Sequence, residues 1–147
     1  MWSFRRLEKI KNTTKYRANT YGFYEFNGKG TVNAYPNSKQ DKVIDFLREI
    51  RYNNPFNHII MILDNFPAHK TENVAITAEI LDIELVFLPP YSPQLNPIEL
   101  IWKSLKKVVS RTFVKDQEMM VDTVKASFIE FSRSKSFCKR WVEVFVN

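Results

Sequence analysis

The stretch Leu88-Pro-Pro-Tyr-Ser-Pro-Gln-Leu-Asn-Pro-Ile-Glu-Leu-Ile-Trp-Lys-Ser-Leu-Lys-Lys107 decides how the rest of the chain is read. Pro89 and Pro90 stop the apolar run "IELVFL", because proline has no N–H to give a sheet ladder. A turn with two more prolines follows, and then a helix opens. Asn96, Pro97 and Glu99 fit the Ncap, N1 and N3 positions of a capping box with proline at its preferred place. Ile98, Ile101, Trp102, Leu105, Val108 and Val109 fall on one side of that helix. Glu99 stands off this side, on the flank of Lys103, Lys106, Lys107 and Arg111. A capping role and an i,i+4 pair with Lys103 are enough to account for a glutamate here. A carboxylate at the head of a basic helical flank also suits a cation meeting a phosphate backbone.

Upstream, the same logic gives a strand, a helix and a strand. "HIIMILD" is a short continuous apolar run, as in a strand covered on both faces. "KTENVAITAEILD" has Thr71 as N-cap and Val74, Ala78 and Leu81 on one face. Before these, "SKQDKVIDFLREIRYN" repeats Val43, Phe46, Leu47 and Ile50 at helical spacing, with Ser38 as the expected cap. "FNGKGTV" lies between aromatic and β-branched runs and predicts a hairpin with strands near 19–26 and 30–35. The tail, about 117–147, reads as one or two helices with a break near Ser132–Ser136. The expected architecture is α/β, a mixed sheet with flanking helices in which the strand–helix–strand part is parallel. The 147 residues fit one domain, 1–147, with 117–147 as its helical tail.

Asp64 ends the apolar run "IIMIL". Ligands of open α/β sheets gather beyond the carboxyl ends of parallel strands, and hard cations take carboxylate oxygens held there. Asp-Asn is equally a good turn opener.

Charge is distributed unevenly. Net charge is +6, with six Lys/Arg against one acid in 1–20, six against ten in 21–102, and ten against five in 103–147. Basic flanks suit a polyanion such as nucleic acid. The single cysteine, Cys138, rules out an internal disulfide and fits a reducing, cytoplasmic setting. No apolar run is long enough for a membrane helix, and no Gly-rich phosphate loop or nucleophile motif is present.

"ILDNFPAHKT" followed by "LVFLPPYSPQLNPIELIWKSLKK" resembles the catalytic core of mariner-like and related insertion-sequence transposases of the DDE superfamily. In that superfamily two Asp and a final Glu or Asp hold two metal ions, with 34 residues between the second and third acid in much of the group. The same number separates Asp64 from Glu99. Over about residues 17–115 the resemblance implies a ribonuclease H-like sheet, DNA strand cleavage and transfer with Mg2+ or Mn2+, and Asp64 and Glu99 as metal-holding catalytic acids. It further implies supporting roles for Asn65, His69 and Asn96. His69 on its own residue context reads as a surface or cap-region histidine. DNA would be met by Lys103, Lys106, Lys107 and Arg111. The implied partners are DNA and a further copy of the chain or a full-length transposase, with no membrane, in the cytoplasm or on a prokaryotic nucleoid.

The family's first Asp lies on the first strand of the sheet. "MWSFRRLEKIK" resembles a Trp-containing segment that follows that strand, and before Asp41 the acids are Glu8 and Glu25. Asp41 and Asp45 fall on an expected helix. The sequence therefore predicts a sheet lacking its first strand and first acid, no upstream helix-turn-helix, and a truncated domain that cleaves weakly or only binds DNA.

Overall fold

In the computed structural model the described residues are 2–11, 16–25, 30–90, 92, 95–134, 139 and 143. Five strands form one sheet: β1 (Trp2–Lys11), β2 (Arg17–Glu25), β3 (Gly30–Tyr35), β4 (Ile59–Leu63) and β5 (Ile83–Phe87). Four helices accompany them: α1 (Gln40–Asn53), α2 (Glu72–Ile80), α3 (Ile98–Arg111) and α4 (Gln117–Ser132). The strand order is β3-β2-β1-β4-β5. The pairs β1/β2 and β2/β3 are antiparallel, while β1/β4 and β4/β5 are parallel.

The expected α/β architecture holds, and the expected lack of a first strand is corrected. Trp2–Lys11 occupies the centre of the sheet, antiparallel to β2 and parallel to β4. Its sequence hid this: a strand between two neighbours usually shows a continuous apolar run. Here Arg5, Lys9 and Lys11 interrupt any continuous apolar run, and Arg6 and Glu8 break the alternation that Trp2, Phe4 and Ile10 begin. The hairpin strands appear as β2 and β3, and the turn between them lies outside the described residues.

Helices cover both faces. Tyr21, Phe23, Met61 and Leu63 of the sheet meet Val43, Phe46, Leu47 and Ile50 of α1 and Val74 and Ala78 of α2. On the other face Ala18, Tyr24 and Ile62 meet Ile98, Ile101, Trp102, Leu105 and Val109 of α3 and Met120, Val124 and Phe128 of α4. The apolar side predicted for α3 is therefore the packed one, except that Val108 is 40 % exposed. At Gly22 the helices come very close. A Cβ there would stand 2.5–2.7 Å from ring atoms of Phe128 and Trp102, so only glycine fits beneath them.

Local signals explain most helix ends. Thr71 caps α2 by accepting from the Val74 amide, as expected. Asp116 caps α4 through the Met119 amide. α1 is corrected by one position: its N-cap is Lys39, without a side-chain cap bond. Arg51 ties the far corner of this face, donating to the carbonyls of Leu81, Asn54, Asn57 and Asp82. Tyr35 donates to Glu49 at 3.3 Å, and burial followed by the Glu49 charge pushes its phenol well above the usual range.

Candidate active site

β4 and β5 run side by side, and the chain leaves both at the same lip of the sheet. The two exits are bound together. The Leu88 amide donates to the Leu63 carbonyl at 2.8 Å, and the Asn65 side-chain amide donates to the Leu88 carbonyl. Asn65 thus holds the start of the loop that leads toward α3.

Asp64 is the first residue past β4. Its Oδ1 accepts from the Phe66 amide at 3.2 Å and lies 3.0 Å from His69 Nδ1, and its side chain is 34 % exposed. Asp64 therefore opens a turn at the strand end, with the Phe66 amide holding its partly exposed carboxylate.

His69 corrects the surface reading. A 3-10 turn, Pro67–His69, folds it back under the strand end, where it is buried against the rings of Tyr21 and Phe66. Its Nδ1 lies 3.0 Å from Asp64 Oδ1. Proline at the start of "PAH" was the one sequence sign of a tight turn rather than an extended exit.

Glu99 lies beyond the loop that leaves β5, in the first turn of α3. Asn96 is buried, its Oδ1 accepts from the Ile98 amide at 3.3 Å, and its carbonyl accepts from the Glu99 amide at 3.1 Å. The expected capping box is corrected by one position: α3 starts at Ile98 with Pro97 before it and no side-chain bond from Pro97, while Asn96 supports the turn just ahead and Glu99 stands in the first turn. A carboxylate there is favoured by the helix dipole by about 0.3–1 kcal/mol. Ile98, the residue before Glu99, packs in one cluster with Ile62, two residues before Asp64, and with Leu88. The residues next to the two acids thus belong to the same core cluster on one face of the sheet.

Lys103, Lys106, Lys107 and Arg111 are exposed along α3. Lys103, Lys107 and Arg111 recur every four residues, about 6 Å apart along the axis. On the neighbouring strand, Arg5 is level with Leu63, and the acid of β1, Glu8, is level with Thr20. β1 contains no Asp. Among the described residues no group of three His, Cys, Asp or Glu side chains is placed to hold a metal ion. A groove of about 800 Å3 lies elsewhere, along the edge strand β3 between α1 and α4.

Comparison with known proteins agrees with this architecture. Residues 5–121 match the family described as DDE superfamily endonuclease. An uncharacterized protein, y4pE/y4sA of Sinorhizobium fredii, is 32 % identical over 96 residues, covering 64 % of this chain and 69 % of that protein. The catalytic domain of Mos1 mariner transposase superposes with a TM-score of 0.74 at 15 % identity, covering 97 % of this chain and 75 % of that one. The same domain solved with raltegravir and Mn gives 0.72 at 16 % identity, over 95 % and 78 %. The Mos1 paired-end complex with the left transposon end gives 0.70 at 17 % identity, over 95 % of this chain and 53 % of that one. With a ribonuclease H-like sheet and a family match across most of its length, the chain belongs to the DDE superfamily endonucleases.

Proposed function

We propose that the chain is the catalytic domain of a DNA transposase in which Asp64 and Glu99 hold a divalent cation, Mg2+ or Mn2+, against a DNA phosphate. The observation that supports this is the joining of the two strand exits by Leu63–Leu88, with Asp64 just past β4 and Glu99 in the first turn of the helix that follows β5. Both side chains are hard oxygen donors, the kind these cations take. The donor set fits. When bound, the cation polarises the phosphodiester and makes water or a DNA 3′-hydroxyl a better nucleophile.

The protein's own groups set position and charge. The Phe66 amide and His69 fix the orientation of Asp64. Asn96 fixes the first turn that carries Glu99. Lys103, Lys106, Lys107 and Arg111 supply cations along the path of the backbone leaving the site, and their contribution falls with salt. DNA is the proposed partner, together with a second copy of the chain or a full-length transposase. No described helix is long and apolar enough to cross a membrane.

β1 brings no Asp to this lip, and that favours a second reading: a DNA-binding or dimerising protein with weak cleavage or none. Two carboxylates close together repel, and two donors hold a cation less firmly than three. The test is nicking of supercoiled plasmid in Mn2+. The catalytic reading expects slow nicking that disappears in Asp64→Asn and Glu99→Gln. Salt-sensitive DNA binding with no nicking in any of the three proteins supports the binding reading instead.

A further inference from the structure

The link between α3 and α4 presents an aromatic side chain that the active site does not use. Phe113 is 78 % exposed. Its neighbours are anchored. Thr112 donates to the Val108 carbonyl at 2.8 Å, Val114 is buried in the core cluster, and the Tyr16 hydroxyl donates to the Lys115 carbonyl at 2.8 Å. Asp116 then caps α4. The backbone on both sides is therefore fixed, and the extended conformation at Thr112 sends Val114 inward while Phe113 stays in solvent.

The surroundings are strongly cationic. From Lys103 to Lys115 there are five Lys/Arg and no acid, and Val108 adds a second exposed apolar side chain. The cationic run ends at Asp116, whose carboxylate is taken up in capping α4, so the exposed ring sits at the end of a cationic stretch. It matches single-stranded nucleic-acid surfaces, where cations follow the backbone and rings stack on bases. α3 has 14 residues, so Phe113 stands about 20 Å along the axis from Glu99, or about six nucleotides of duplex.

We propose that Phe113, flanked by Lys107, Arg111 and Lys115, stacks on an unpaired or unstacked base of the bound DNA about six nucleotides from the phosphate at the acids. This rests on the reading of α3 as the DNA-facing helix. A ring can stack only on a base whose face is uncovered, so the contact discriminates distorted DNA from regular duplex.

The test is fluorescence anisotropy of the full chain with a labelled duplex and with the same duplex carrying a three-base unpaired bubble. Wild type is expected to bind the bubbled DNA at least about fivefold tighter. Phe113→Ala should bring the two affinities together without changing the salt dependence. Phe113→Trp should keep the preference, with its indole emission quenched on the bubbled DNA only. An unchanged bubble preference in Phe113→Ala overturns the proposal. So does a shift from dimer to monomer in sedimentation, which would make Phe113 a contact between copies. The double variant Lys107→Gln, Arg111→Gln separates the two levels. If it leaves both affinities unchanged, the reading of α3 as the DNA face fails. If it weakens both while Phe113→Ala changes neither, only the aromatic contact fails.

Discussion

β4 and β1 lie side by side, parallel, with Arg5 level with Leu63, yet they bring opposite chemistry to the same end of the sheet. β4 is apolar throughout and delivers Asp64 at its end. β1 carries Arg5 and Arg6 at that level, and its acid, Glu8, comes two residues later. The difference teaches that one sheet can be paired through its backbone while neighbouring strands differ in the residue types they place at one level, and a cation site of the kind proposed depends on those residue types.

Making the two strands alike is the strongest way to break the comparison. Arg6→Asp places a carboxylate one residue past the position level with Leu63. Nicking of supercoiled plasmid in Mn2+ should rise by about 100-fold, equivalent to about 2.7 kcal/mol of barrier. No gain would mean that the register does not bring β1 to the site. Removing the acid from β4 works in the opposite direction. Asp64→Asn or Glu99→Gln should each weaken Mn2+ binding about 10- to 100-fold in calorimetric titration, while far-ultraviolet circular dichroism stays unchanged. Gly22 is level with Arg6 on the other side of β1 and lies beneath Trp102 and Phe128. Gly22→Val should cost about 1–3 kcal/mol in urea unfolding, because the core there has no room for a Cβ. His69→Gln should have the smallest effect, lowering Mn2+ affinity about tenfold with little change in DNA binding, as expected for a group acting through Asp64.

The sequence made β4, α2, β5 and α3 legible because each carries a clean period and a proper stop or cap. Thr71, Asn96 and the Pro89-Pro90 pair mark their ends. Asp64 and Glu99 could be put forward as a proposed site for the same reason, since each sits at the boundary of a well-marked element. β1 was not, because its cationic residues interrupt the apolar pattern that a central strand usually shows. Its place depends on pairing with β2 and β4, which no local window contains. His69 was missed for a related reason. Its burial follows from a 3-10 turn folding under the sheet and from Tyr21, which is 48 positions away in sequence. The one-residue shift of the α1 cap and the exposure of Val108 are smaller failures of the same local reasoning.

The account depends most on Asp64 and Glu99 sharing a cation. Anomalous diffraction from crystals of the chain soaked in Mn2+ tests this directly. The predicted result is a manganese peak within about 2.1–2.3 Å of a carboxylate oxygen from each of Asp64 and Glu99. Manganese bound to one of them alone, with the other carboxylate turned away across the lip, would contradict it.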